Sequence, residues 1–418
     1  MNRREASHII ALGALSSLFP RLSWGRDEVR KEAHSILFIN LRGAPPQQEM
    51  FRPNYEAPRE SAIRGPFDSI PTTMDGVRFS ELFPQCAAIA DRLTIIHSAV
   101  ADHADHERGR KALFTRQNRK GKSKSLYGMA GPNLAKNGLP PDSAVVLDVL
   151  STPEFLSKHP PNLFIKVNPV TGDFDAPEMK QSHPTLPTRR LLLHDLEAAQ
   201  KTLSGDALHE FEHIREDAFR ALTGDGFKKS LEITDEDQRK IFGTVTRGTR
   251  AALLSLNLAK AGSGVVVFNY SPAPGLDMHG REEAGKSGNP GIVEGMNMVA
   301  AEMDALHSGL LRVAPDEGVV TVVTQEFGRG SMNDYAVPGR DHDPRFAWVA
   351  RGGRFKPGKY GSYNPRNGDV LENPIQSTRI GATAVAAAGG DPPQFLPSWK
   401  EDVVEDLLSL PPNGRMRQ

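Results

Sequence analysis

The sequence predicts an α/β protein, an α/β/α sandwich around a largely parallel central sheet. Three apolar runs carry that expectation: Ser35–Leu41, Val265–Tyr270 and Val319–Thr324. Each is continuous rather than alternating, as a strand covered on both faces requires. Stretches with helical spacing, Gly248–Ala261 and Gly291–Val313, lie between the last two runs or just before them, and such alternation of helix and buried strand is the α/β signature. The last two runs also lead into polar groups, and the carboxyl ends of strands are where open α/β sheets present side chains to ligands.

The chain has 418 residues, with 51 basic and 51 acidic side chains. Zero net charge gives no electrostatic basis for binding nucleic acid or an anionic membrane surface. A single cysteine, Cys86, excludes an intramolecular disulfide and a cysteine-rich metal site. Its apolar neighbours, Leu82, Phe83, Ala87, Ala88 and Ile89, mark it as a buried thiol. Residues 1–25 read as an export signal of the twin-arginine type: Arg3-Arg4, an apolar stretch Ile9–Phe19 and a small-x-small end at Ser23-Trp24-Gly25. The apolar stretch is too short to cross a bilayer as a helix, so stable membrane insertion is not expected. The remaining 26–418 would then work in the periplasm or outside the cell.

Taken in order, Ser35–Leu41 breaks at Arg42-Gly43-Ala44-Pro45-Pro46, where two prolines stop regular structure. A turn-rich loop, Arg64–Gly76, follows. Ser80–Asp91 has the spacing of an amphipathic helix capped by Ser80, with Leu82, Phe83, Cys86, Ile89 and Ala90 inward. Leu93–His97 is a short strand, and Asp102–Gly109 is dense in acids and histidines, either a metal-ligand loop or a polar turn. The basic stretch Arg116–Lys124 has no interleaved aromatics and reads as solvated loop. Pro160–Val167 is another strand, and a helical surface insertion is expected over 191–242, carrying His194, His209 and His213 as solvated residues. The helix Gly248–Ala261 stops at Gly262 and feeds Val265–Tyr270, whose end leads to Asp277 and His279. The helix Gly291–Val313 feeds the strand that delivers Glu326, and Asp341-His342 follows after a turn. Ser377–Ala388 is a helix of small residues.

Three polar groups, Asp277 with His279, Glu326, and Asp341 with His342, thus stand at or just beyond strand ends. Mixed carboxylate and imidazole donors suit a divalent first-row metal, zinc or manganese rather than calcium. Such an ion could polarise a phosphoryl or sulfuryl oxygen or activate water.

Several ordered motifs resemble a widespread exported bacterial family catalogued as domain of unknown function 1501, itself similar to the alkaline phosphatase and sulfatase superfamily. They are Arg64-Gly-Pro-Phe67, Gly76-Val77 with Ser80-Glu81-Leu82 and Pro84, Asp105-His106, Leu276-Asp277-Met278-His279-Gly280, Glu326-Phe327-Gly328-Arg329 and Gly339-Arg340-Asp341-His342. The resemblance implies an alkaline-phosphatase-like fold and metal ligands at Asp277, His279, Glu326 and His342, with His106, Asp105, Asp341 and Arg329 as outer members. It also implies a nucleophile on the loop after the first strand, and there this chain departs from the pattern. Pro46 stands where the family carries a hydroxyl, Gln47 where it carries an imidazole, and Arg52 where it carries an acid. No Ser, Thr or Cys occurs between Leu41 and Glu60. The function implied is an exported metal-dependent hydrolase of phosphate or sulfate esters, on a small molecule or a polysaccharide, using metal-activated water. The alternative is a catalytically degenerate relative that binds a ligand or a co-exported protein.

Overall fold

Five strands and four helices position the rest: β1 (Ser35–Leu41), β2 (Thr94–Val100), α1 (His106–Phe114), α2 (Arg247–Lys260), β3 (Val265–Tyr270), α3 (Ile292–Val313), β4 (Val319–Gln325), β5 (Arg345–Arg351) and α4 (Thr378–Ala387). The computed structural model describes residues 33, 35–117, 123–125, 143–147, 163–167, 174–175, 229–272, 275–286, 288–390 and 402–409. The expected export signal and most of the expected helical insertion, up to residue 228, lie outside the described residues. Its last part is a helix, Asp235–Phe242.

The sheet is ten-stranded and mixed. Its order runs Gly358–Tyr360, β2, β5, β4, β1, β3, Ser143–Leu147, Leu163–Val167 and Phe174–Asp175, with Ile375–Gln376 also pairing β2. The three strands expected from apolar patterning sit side by side and parallel at its centre, with Leu41 in register with both Tyr270 and Gln325. Departure from a parallel sheet comes from β5, antiparallel to both β4 and β2, and from Phe174–Asp175 at the far edge.

Strand β1 shows why its run is unbroken. Leu37, Ile39 and Leu41 enter one apolar cluster with Leu253, Leu254 and Leu256 of α2 and Met296, Met303 and Leu310 of α3. Ile36 and Phe38 face the opposite cluster, with Leu113 and Phe114 of α1 and Ile380 and Val385 of α4. Every residue of β1, β3 and β4 is buried, the condition that turns an alternating pattern into a continuous one. Cys86 is buried in the first cluster, as its neighbours foretold.

The helix expected over Ser80–Asp91 is mostly absent. Arg78–Ser80 pairs antiparallel with Ser69–Pro71, and the helix is cut to Pro84–Ala87, with a 3-10 turn at Ala90–Arg92. Ser80 is committed to that hairpin, its amide donating to Met50 O at 2.8 Å. Pro84 takes the first helical turn, where its missing N–H costs nothing. The cap comes from far away in sequence: Asp304 on α3 accepts from the Gln85 and Cys86 amides at 2.8 and 2.9 Å. At the basic stretch after α1, Thr115–Gln117 pairs antiparallel with Ser123–Ser125. Among the described residues, no helix is long and apolar enough to cross a membrane.

Candidate metal centre

Because Leu41, Tyr270 and Gln325 end level with one another, the loops that follow β1, β3 and β4 leave from one edge of the sheet. β2 points the same way, and its exit is tied in where Ala101 N donates to Pro344 O at 2.7 Å. Asp277, His106, Glu326 and His342, far apart in sequence, therefore meet at this edge.

α1 begins at His106 because Asp105 caps it: Oδ1 takes the Arg108 amide at 2.9 Å and the backbone carbonyl takes Gly109 N at 2.7 Å. That cap is what Asp105 does; its side chain is not a donor to the centre. The helix approaches β4 closely, and a Cβ on Gly109 would stand 2.9 Å from Glu326 O. His106 and Arg110, four apart and so on one helical face, both reach Glu326 Oε1, at 2.9 Å from Nδ1 and 3.1 Å from Nη1. Gly43 N gives the same oxygen a third donor at 3.0 Å. Gly43 has φ of 113°, and a Cβ there would lie 2.7 Å from Asp277 N. Glycine thus lets the first loop close against the Asp277 loop in a left-handed conformation.

The imidazole orientations follow from their partners. His342 bonds Ala104 O through Nδ1 at 2.8 Å; a carbonyl only accepts, so Nδ1 carries the proton and Nε2 keeps a lone pair. His106 gives Nδ1–H to the Glu326 carboxylate and turns Nε2 toward Asp277 Oδ2, 3.3 Å away. His106 Nε2, His342 Nε2 and Glu326 Oε2 are buried without a hydrogen-bond partner. Unpaired buried polar atoms are costly, and the two imidazoles stand with Asp277 in a group that fits a cation.

His106, Asp277 and His342 each offer a ligand atom, and the three atoms lie within 4.8 Å of one another. The donor set, two imidazoles and a carboxylate, fits a divalent metal ion. His279 adjoins the group: Nδ1 is 2.5 Å from Asp277 Oδ1, and its ring centroid is 4.7 Å from that of His342. Glu326 stands behind His106, an orienting position often taken by the carboxylate partner of a ligating histidine. Asp341 is exposed beside His342 on the strand Arg340–Asp343.

Arg329 is the organiser of this edge. Its side chain is fully buried and donates to Ala44 O, Gly43 O and Arg340 O at 2.7, 2.7 and 3.0 Å, and to Asp277 Oδ1 at 2.5 Å. It therefore ties the first loop, the Asp277 loop and the His342 strand together. Burial opposes ionisation of Asp277, yet contacts with His106 and His279 and the Arg329 charge hold its carboxyl far below the usual range. Burial also disfavours the His106 imidazolium, but Asp277 and Glu326 outweigh it and lift the group to about 9. The edge favours positive charge between its two carboxylates.

The first loop holds no nucleophile. Pro46 is buried and extended at φ −64°, before a 3-10 turn at Gln47–Glu49. Gln47 and Gln48 both donate to Arg329 O, at 2.8 and 2.6 Å, and Glu49 forms a buried ion pair with Arg340 at 2.8 Å. Arg110, Asn289 and the Glu49–Arg340 pair escaped sequence reasoning. Only Arg110 had a local signal, its spacing of four from His106. Asn289 Nδ2, 3.2 Å from Asp277 Oδ2, had none.

Residues 33–152 and 169–403 match a family described as protein of unknown function, DUF1501. Among curated proteins, no match was found. Among solved structures, the C-terminal periplasmic domain of EptC from Escherichia coli in complex with zinc is 10% identical, with 89% of this chain and 87% of that one covered and a TM-score of 0.38. Alkaline phosphatase from the Antarctic bacterium TAB5 is 11% identical, over 86% and 99% of the two chains, with a TM-score of 0.36. The phosphonate monoester hydrolase of Silicibacter pomeroyi is 12% identical, over 85% and 73%, with a TM-score of 0.31.

Proposed function

The chain belongs to the DUF1501 family, and we propose that it is an exported, metal-dependent hydrolase of phosphate or sulfate esters. The observation behind this reading is the convergence of His106, Asp277 and His342 from three separate stretches of the chain to within 4.8 Å. Asp277, His106 and His342 would hold the ion, with His279 as a neighbouring donor. Zinc or manganese bound there would supply positive charge to polarise the ester and to acidify water. Glu326, holding His106 Nδ1, aims its Nε2 at the ion position. Arg329 keeps Asp277 and the first loop in place. With Pro45-Pro46 and no Ser, Thr or Cys from Arg42 to Arg59, the first loop forms no ester intermediate, so hydrolysis would proceed without a covalent adduct there. The substrate would be a small-molecule or polysaccharide ester, and the compartment the periplasm or the medium, reached by the twin-arginine route.

A second reading has its own support. Gln47, Gln48 and Glu49 are all buried and committed to holding Arg329 and Arg340, which suits a scaffold that binds a ligand or a co-exported protein without turnover. Assaying the purified protein with p-nitrophenyl phosphate and p-nitrophenyl sulfate separates the two. The hydrolase reading expects nitrophenol release that stops with chelator, returns with zinc or manganese, and is lost in Asp277→Asn. Metal binding without turnover on a broad ester panel favours the scaffold; turnover indifferent to chelator contradicts the metal-dependent reading.

A further inference from the structure

A separate cavity of about 60 Å³ lies beside β2, where the strand Gly358–Tyr360 pairs with it. Tyr55, Arg78, His97, Lys359, Ser362 and Tyr363 line it, and none of its lining residues is acidic. A volume of this size holds a few waters or one small polar group.

Its chemistry is specific in three ways. Positive charge comes from Arg78 and Lys359, with Arg52 stacked behind at 4.5 Å from the Tyr363 ring centroid. Arg78 is anchored by Nε to Ser69 Oγ at 2.9 Å and by Nη2 to Ser69 O at 2.6 Å, which leaves Nη1 to a ligand. Aromatic surface comes from Tyr55, 5.5 Å under the Arg78 guanidinium, and from Tyr363, whose hydroxyl is fixed on Pro53 O at 2.8 Å. The third element is His97, which is only 3% exposed and packs edge-on against Tyr363 at 5.1 Å. Its Nε2 lies 3.1 Å from Phe51 O; the carbonyl can only accept, so Nε2 carries the proton and Nδ1 is left as an acceptor. Burial first, then the Arg52 charge, push the imidazole down to about 3, so the ring is neutral in ordinary buffers.

Cations for an oxyanion, a lone pair for a hydroxyl and two tyrosine side chains meet around one opening. We propose that this pocket binds the carboxylate of an acidic sugar, with Arg78 and Lys359 on the carboxylate, His97 accepting the neighbouring hydroxyl and the ring left at the mouth beside Tyr55 and Tyr363. The site is independent of the His106–Asp277–His342 cluster and of any hydrolytic activity there.

Calorimetric titration of the full-length protein with sodium glucuronate, with glucose and acetate as controls at constant ionic strength, tests the assignment. Saturable one-site binding of glucuronate is expected, with glucose and acetate each at least about tenfold weaker, since each lacks one element of the recognition. Arg78→Met and Lys359→Ala should each weaken glucuronate about fivefold, the size of one partly exposed charge contact. Lys359 is exposed, so Lys359→Ala and Lys359→Glu remain informative should Arg78→Met fold poorly. The same affinity in Asp277→Asn separates this pocket from the metal cluster. Glucuronate affinity unchanged by both Lys359 variants, or acetate binding as well as glucuronate, overturns the proposal.

Discussion

Two regions of this molecule combine an aspartate with a histidine, and they behave in opposite ways. On α3, Asp304 has both carboxylate oxygens engaged by the Gln85 and Cys86 amides. Nearby His307 is fully buried, stacked at 15° on Phe83, with neither ring nitrogen hydrogen-bonded. Burial, the largest influence on each, pushes Asp304 up to about 6 and His307 down to about 3. At the sheet edge, Asp277 and His106 face each other and are partly open to solvent, and their shifts run the other way, the acid down and the base up. An acid and a histidine in one place are therefore not a site in themselves. What separates the two regions is whether the carboxylate is closed off by backbone amides or shared with histidines and an arginine.

The largest expected effect exploits that contrast. Asp304→Ala strands two amide donors in the core, and each unsatisfied buried group costs about 1–3 kcal/mol, so the variant should lose roughly 2–5 kcal/mol in urea unfolding. Bound metal and its affinity should be unchanged. Metal loss in folded Asp304→Ala protein would erase the distinction between the two regions.

Acid titration sharpens it. His307 is held down at about 3 in the folded chain, against about 6.5 unfolded. The unfolded chain takes up this proton first, so stability present above pH 6.5 falls as pH drops toward 3, at up to about 1.4 kcal/mol per pH unit. Asp304 contributes in the opposite sense: raised to about 6, it gives stability that is present below its unfolded value of about 3.9 and is lost as pH rises through 6. In unfolding curves between pH 4 and 6, His307→Leu should flatten the acid loss, whereas Asp304→Asn should steepen it. The same slope in both variants would mean that other groups govern the response.

The smallest effect belongs to the first loop. Pro46→Ser frees the unfolded chain and should cost under about 1 kcal/mol. The neighbouring Gln47 and Gln48 side chains are both tied to Arg329 O, and mass spectrometry after incubation with a phosphate ester should find no adduct at position 46. A phosphorylated side chain at that position in the Pro46→Ser variant would show that the loop retains the geometry of a nucleophile site.

Much of the fold was legible in residues because its central strands are covered on both faces, which writes Ser35–Leu41, Val265–Tyr270 and Val319–Thr324 as unbroken apolar runs. Asp277, His279, Glu326 and His342 were singled out because polar clusters follow such runs, whereas the group within reach of one ion is His106, Asp277 and His342. His106 was noticed only as an outer member, because a charged loop before a helix is ordinary and nothing local says that Glu326 will hold its ring. The short Pro84–Ala87 helix was misread since its cap, Asp304, lies across the fold. The Glu49–Arg340 pair and the clamp of Arg329 on Gly43 and Ala44 are likewise nonlocal, and spacing along a chain carries no trace of them.

Metal content is the most direct test of the central claim that His106, Asp277 and His342 form one cation site. Purified protein dialysed against zinc, and separately against manganese, would be analysed by inductively coupled plasma mass spectrometry beside Asp277→Asn and His342→Ala. About one equivalent is expected in the wild type, and in each folded variant an affinity lower by about tenfold or more, as loss of a ligand or its orienting partner produces. Wild-type protein that retains no divalent metal, or variants that retain as much as the wild type, would contradict it.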